Sequence, residues 1–212
     1  MHRYNGADPV QRAEGTTHAV AAARRGELVV ANLDGVYAVI TDAFSHKGVE
    51  AINALKERTA MTVPVLVGKA DTADGIAMIV GASGVLARTL MRDCWPGPLT
   101  IIGRVQPSLP WKCSPEGIVP VRMPMHPWTL DIVRALGPTA NVPTHLAGAD
   151  PHTSVDEVID ALGDAASVYL DGGPCLPDQT STIVDVTGDQ AIITREGAFT
   201  IDYLATLVPL AE

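Results

Sequence analysis

The sequence predicts a single α/β domain: a twisted sheet of mixed parallel and antiparallel strands, flanked by helices. Three observations predict it. Amphipathic helical segments alternate with short apolar runs along most of the chain, the pattern of strands joined through helices. Two β-branched runs near the end, joined by Thr187-Gly188-Asp189, carry the signal of a hairpin and add antiparallel strands to that core. No internal repeat, low-complexity tract or long linker divides the 212 residues. At this length one core buries roughly 70% of the unfolded chain's surface.

The elements follow in order. Asp8-Pro9 opens a first helix as cap and first residue; Val10, Ala13, Thr17, Val20 and Ala21 follow, and Gly26 ends it. Leu28 to Ala31 is a short strand. After the break Asn32-Leu33-Asp34-Gly35, a second helix starts at the cap Ser45, with Val49, Ile52 and Leu55 on one face and Lys56 and Arg58 in its last turn. Val63 to Val67 is a buried strand. Ala70 to Asp93 forms two helices parted near Gly81, the second with Val85, Leu86 and Leu90 at helical spacing, and Trp95-Pro96-Gly97-Pro98 stops it. Leu99 to Val105 and Ile118 to Arg122 are strands around a proline-rich loop. Pro127 opens a helix that turns Leu130, Val133 and Leu136 inward and ends at Gly137. Ser154 and Glu157 are a capping-box pair ahead of Val158, Ile159 and Leu162. Ser181 to Val186 and Gln190 to Thr194 make the hairpin.

Composition narrows the function. Asp and Glu number 24 against 15 Lys and Arg, a formal charge of −9, the wrong sign for non-specific binding of phosphate backbones. Strong direct nucleic-acid binding is not expected outside a local basic patch. The polar start Met1 to Gly6 lacks the apolar segment of a signal peptide, and no stretch approaches the roughly 18 apolar residues of a membrane span. A soluble, cytoplasmic protein without membrane contact is expected. Cys94, Cys113 and Cys175 are too scattered for a disulfide framework or metal knuckle and are expected as buried thiols. The six histidines show no ligand spacing, so no metal site is predicted. Phosphate-loop, dinucleotide, zinc-protease and serine-hydrolase signatures are all missing.

What stands out is a set of cations at element ends: Lys56 and Arg58 closing a helix, Arg122 closing a strand, and Arg195 leaving the hairpin. Sites in open α/β sheets gather at strand ends. Guanidinium pairs bidentately with phosphate oxygens, and lysine adds a point charge, so the set suits a polyanion such as a triphosphate. Lys56 and Arg58 also suit the simpler role of complementing a helix C-terminus.

In order along the chain stand Asp34-Gly35-Val36-Tyr37, Lys56-Glu57-Arg58, Trp95-Pro96-Gly97-Pro98-Leu99-Thr100, Val121-Arg122-Met123-Pro124 with His126-Pro127, Ser181-Thr182-Ile183-Val184-Asp185 and Arg195-Glu196-Gly197-Ala198. This series resembles the YrdC-like (TsaC) family, the L-threonylcarbamoyladenylate synthases, from about residue 26 to 198. The resemblance implies one YrdC-like domain over 1–212 with no additional C-terminal domain. It implies that ATP with Mg²⁺, L-threonine or a related amino acid, and bicarbonate are converted to threonylcarbamoyl-AMP and pyrophosphate. That is the first step of tRNA threonylcarbamoyladenosine modification, and it brings possible partners in that modification and a family association with RNA binding. By position, Lys56 and Arg58 are the catalytic cations and, with His145 and Arg195, the ATP-binding set. Asp34, Tyr37, Arg122, Ser181 and Thr182 are the substrate-binding set. Thr100, Trp95 and Trp128 are expected to be structural.

The chain departs from the family in three segments, one of them the cationic cluster after Lys56-Glu57-Arg58, which is thinner because Thr59-Ala60-Met61-Thr62 supplies no charge. Where the family reads P-T-[DE]-T-x-Y-G, this chain has Asn32-Leu33-Asp34-Gly35-Val36-Tyr37-Ala38, without either threonine hydroxyl. Where the family reads S-A-N, it has Pro143-Thr144-His145, and the proline removes a hydroxyl and a backbone donor. Retained cations favour a synthase with compensating contacts from Thr144 and His145. The lost hydroxyls favour a non-catalytic nucleotide- or partner-binding paralogue, or carbamoyl or adenylyl chemistry on another small substrate.

Overall fold

The computed structural model of the chain describes residues 1–56, 62–109, 111, 113–114, 116–146, 148–175 and 180–210. Its first helix, α1 (Pro9–Arg24), starts where the sequence predicts, with the Asp8 carboxylate accepting from the Val10 and Gln11 backbone N–H groups. Before it lies an unpredicted edge strand, β1 (His2–Asn5). The Asn32 to Gly35 break proves to be a tight reversal between two strands, β2 (Val29–Leu33) and β3 (Val36–Asp42), paired from Leu33↔Val36 to Val29↔Ile40. Strand β3 was not predicted. It is buried on both faces, so Val36 to Ile40 form a continuous apolar run without the alternation that marks a half-exposed strand.

Ser45 caps α2 (His46–Leu55) by accepting from Gly48 N–H, and Lys56 sits at the C-cap. The short β4 (Val65–Leu66), α3 (Ala70–Asp74) and α4 (Gly81–Cys94) follow, and β5 (Ala77–Met78) separates the two helices the sequence predicts. Strands β6 (Leu99–Val105) and β7 (Ile118–Arg122) and helix α5 (Pro127–Leu136) have the predicted bounds. Unpredicted β8 (Thr139–Pro143) precedes α6 (Val155–Leu162), whose Ser154–Glu157 capping box is formed. Unpredicted β9 (Val168–Asp171), the hairpin of β10 (Thr182–Asp185) and β11 (Ile192–Arg195), and α7 (Ile201–Ala205) complete the chain.

All strands join one mixed sheet in the order β1-β9-β2-β3-β8-β4-β7-β6-β10-β11, with β5 added beside β6. Its two faces are covered unequally. On one, α2, α4 and α6 pack Val49, Ile52, Leu86, Leu90 and Val158 against Val30, Val39, Val65, Leu99, Ile101 and Val121. On the other, α1 and α5 pack Ala19, Val20, Trp128 and Ile132 against Val29, Ala31, Ile40 and Leu66. That second core draws no buried residue from β6, β7 or β10 among the described residues. Successive side chains along a strand point to opposite faces. Leu99, Ile101, Val119, Val121 and Val184 therefore enter the first core, and Thr100, Ile102, Pro120, Arg122 and Ile183 are left facing a gap beyond α5. Trp95 and Trp128 are buried, as expected, and the three cysteines are buried and free. No helix among the described residues is long and apolar enough to cross a membrane.

Candidate active site

The uncovered stretch of sheet forms a cleft of about 330 Å³. Its floor comes from β4, β6, β7 and β10, one wall from Leu33, Gly35 and Val36 at the β2–β3 turn, and another from Asn141, Pro143 and His145 at the end of β8. Arg195 borders it from β11.

Arg122 is the buried cation of this cleft. Its guanidinium donates to the Asp34 carboxylate through Nη2 and to the Gly97 carbonyl through Nε at 3.2 Å. The Asp34 side chain is 1% exposed and accepts from the N–H groups of His126 at 2.6 Å and Met125 at 3.3 Å as well. Asp34 adopts φ of +59°, a left-handed conformation that Asp and Asn tolerate better than other side chains. The tight turn thus drives a carboxylate beneath the last residue of β7. Burial pushes the Arg122 pKa down, the Asp34 carboxylate pulls it back up, and the neighbouring Arg195 charge lowers it again.

Arg195 reaches over β10. Its Nε and Nη2 donate to the Ser181 carbonyl at 3.0 and 2.8 Å, and Nη2 also donates to Ser181 Oγ at 2.9 Å. Ser181 Oγ is 3.1 Å from Thr100 Oγ1. Two hydroxyls joined by one hydrogen bond hold two protons, and the shared bond uses only one. The other proton is available to an acceptor in the cleft, and Arg195 polarises the oxygen that carries or shares it. The arrangement Arg122, Thr100, Ser181, Arg195 is therefore rich in donors and positive in charge, suited to carboxylate or phosphate oxygens.

Lys56 is buried at the margin, where Nζ donates to the His145 carbonyl at 2.5 Å. The His145 ring lines the cleft, and its Nδ1 is buried without a hydrogen-bond partner among the described residues. Burial, then the charges of Lys56 and His152, lower its pKa, which keeps the imidazole neutral near pH 7. Arg58 lies outside the described residues.

Two predicted substrate contacts lie elsewhere. Tyr37 and Thr182 belong to the opposite face of the sheet and are fully buried. The Tyr37 hydroxyl donates to Gly173 O at 2.7 Å; that of Thr182 donates to Phe199 O at 2.7 Å and accepts from the N–H groups of Gly197 and Phe199. The one-residue alternation along β3 and β10 turns both away from the cleft, and they hold the backbone at Gly173 and at Gly197 to Phe199. Asp34 acts through Arg122. Thr100, expected as purely structural, and Asn141, not singled out from the sequence, both line the cleft. The departures Leu33 and Pro143 stand in its walls. Among the described residues no three His, Cys, Asp or Glu side chains converge as metal ligands.

Comparison with known proteins agrees with this architecture. The Sua5_yciO_yrdC family model, described as "Telomere recombination", matches residues 21–197. A Mycobacterium tuberculosis protein named "Putative threonylcarbamoyl-AMP synthase" is 37% identical over 204 residues, covering 95% of this chain and 93% of that one. The threonylcarbamoyl-AMP synthase of Bacillus subtilis is 28% identical over 90% of this chain and 55% of its own. Among solved structures, P. abyssi Sua5 complexed with L-threonine superposes with a TM-score of 0.85 at 22% identity, over 98% of this chain. This chain spans 60% of that Sua5 chain. E. coli YciO superposes at 0.79 with 20% identity over 95% of this chain and 96% of its own. These two likenesses speak to fold.

Proposed function

The chain belongs to the Sua5/yciO/yrdC family, and from that premise we propose that it is a threonylcarbamoyl-AMP synthase, converting L-threonine, bicarbonate and ATP to threonylcarbamoyl-AMP, pyrophosphate and water. The observation that carries the proposal is the pair of guanidiniums, Arg122 and Arg195, bordering one cleft with an unallocated hydroxyl proton between them on Thr100 or Ser181. Arg195 adds a second guanidinium beside the Asp34-paired Arg122, so the cleft carries net positive charge that favours an anion, and the substrates are anions: an α-carboxylate, bicarbonate and a triphosphate.

In this reading Arg122 and Ser181 hold the threonine carboxylate. Arg195, Lys56 and His145 face the nucleotide phosphates and bicarbonate, with Arg58 assigned there on family resemblance. The amine attacks bicarbonate carbon, water leaves, and a carbamate oxygen attacks the α-phosphorus as pyrophosphate departs. No protein nucleophile is needed. The chain supplies orientation and fixed positive charge where negative charge builds. Mg²⁺ fits as part of the nucleotide, because it keeps waters and phosphate oxygens as ligands and needs no protein cage. The product would feed tRNA threonylcarbamoyladenosine formation. The names of the relatives and the L-threonine complex of P. abyssi Sua5 support the assignment.

Leu33 and Pro143 in the walls favour a second reading, a homologue that binds a nucleotide or partner without turnover, or that acts on another small substrate. Pyrophosphate release with ATP, Mg²⁺ and bicarbonate, with and without L-threonine, separates the two. Threonine-dependent release is the expected result. ATP binding by calorimetry without such release would replace the synthase by the second reading.

A further inference from the structure

We infer that the amino-acid subsite recognises an α-carboxylate and an aliphatic body but not a side-chain hydroxyl, so that L-valine replaces L-threonine with little loss. This rests on the synthase reading for the identity of the site. The sheet register carries the argument. Leu66 pairs with Arg122, Arg122 with Thr100, and Thr100 with Ile183, so these four stand side by side on the cleft floor. One step along the same face, Pro120 pairs with Ile102. Arg122 is thus flanked by Leu66 on one side and Thr100 on the other, with Pro120 and Ile102 one step along the same face and Leu33 in the cleft wall.

A carboxylate bound to Arg122 and to the free hydroxyl proton of the Thr100–Ser181 pair leaves its α-carbon over this apolar stretch. The side chain begins one bond further on and meets Leu33, Leu66, Ile102 or Pro120, none of which donates or accepts through its side chain. Thr100 and Ser181, the floor's polar side chains beside Arg122, are bonded to each other and Ser181 to Arg195, and their spare proton goes to the carboxylate; the other polar lining residues, Thr180 and His145, lie one residue before Ser181 and two residues past the end of β8. The Asn141 amide stands on β8, with β4 between it and β7, about 10 Å across at the usual strand spacing. Its N–H donates to Pro64 O at 2.9 Å. Valine and threonine have nearly the same shape, and a site without a hydroxyl partner separates such isosteres by about 100-fold at most. A site built around that hydroxyl rejects the analogue lacking it by about 10,000-fold.

The test titrates L-threonine and L-valine into the full chain with ATP, Mg²⁺ and bicarbonate by calorimetry, and measures pyrophosphate release with each. The expected result is a Kd and a kcat/KM for valine within about tenfold of those for threonine, with glycine much weaker because it lacks the aliphatic body. Valine weaker than threonine by 1,000-fold or more overturns the inference. If both bind alike but neither drives pyrophosphate release, the inference stands and the synthase reading falls; if neither binds, both fall. Leu33→Thr adds a hydroxyl to the wall and is expected to shift the ratio at least tenfold toward threonine. An unchanged ratio in a folded Leu33→Thr variant also overturns the inference.

Discussion

Replacing Asp34 by asparagine isolates the charge that holds Arg122. Asparagine has nearly the same size and also tolerates the φ of +59°, so the backbone contributes little to the effect. The lost charge is another matter. The Asp34 carboxylate is 1% exposed and serves three donors, Arg122 and the His126 and Met125 N–H groups. Breaking a buried pair from one side costs about 3–5 kcal/mol, because the remaining charge stays buried without compensation. The amide oxygen of the substituted side chain can serve one of the three donors, which points to the lower end, about 3 kcal/mol, or roughly a hundredfold in the folding equilibrium. With a urea m-value of about 2–3 kcal/mol/M, the unfolding midpoint moves down by about 1–1.5 M. Circular dichroism in urea measures this, and calorimetry on the same sample measures L-threonine binding, expected to weaken more than tenfold. A midpoint shift under about 0.3 M with unchanged threonine binding would refute the claim that Asp34 anchors Arg122.

The remaining predictions concern the other side of the cleft and its pH response. Ser181→Ala removes the hydroxyl shared by Thr100 and Arg195; stability should fall by about 1 kcal/mol, while threonine affinity drops 10- to 100-fold in calorimetry. Gly197→Ala would set a Cβ 2.4 Å from Thr180 O and 2.7 Å from the Ser181 carbonyl carbon, so the backbone leading into β10 or the Gly197 segment must shift. A loss of about 1–3 kcal/mol in thermal or urea unfolding, with reduced pyrophosphate release, is expected. Burial lowers the His126 pKa, so the unfolded chain binds the proton more readily than the folded one. The stability His126 contributes is therefore complete above the unfolded value near 6.5 and is lost as pH falls through the lower folded value. Urea midpoints between pH 7 and 5 should fall more steeply for the parent chain than for His126→Asn, and parallel profiles would contradict this.

Helix ends were legible in the sequence because capping chemistry is local. Asp8, Ser45, the Ser154–Glu157 pair and Gly137 act on backbone groups within a few residues of themselves, and each does so where predicted. The strands that escaped prediction depend on partners far away in sequence. β8 contains Asn141 and Pro143, poor strand formers, and is extended because β3 and β4 pair with its two edges. β1 is polar and short, and only its pairing with β9 defines it. β3 hides for the opposite reason, since burial on both faces removes its period of two.

The same logic governs the site. Arg122 and Arg195 stand out in the sequence as cations at strand ends, whereas Ser181 enters only through the resemblance of its motif. Tyr37 and Thr182 were drawn in with their motifs, but a neighbour in sequence along a strand is a neighbour on the wrong face, and only the register of the sheet separates Ser181 from Thr182. Thr100 and Asn141 carry no charge and reach the cleft through alternation on strands whose two faces are both largely apolar, so neither advertises itself. The character of the cleft follows from this geometry. Arg122 and Arg195 come from strand ends and cannot move without the sheet, whereas Leu33 in the wall and Ile102 and Pro120 on the floor can be exchanged with the sheet pairing intact. In the proposed synthase, anion binding is thus tied to the fold, and discrimination between amino-acid side chains falls to residues that substitution can change while the cations stay in place.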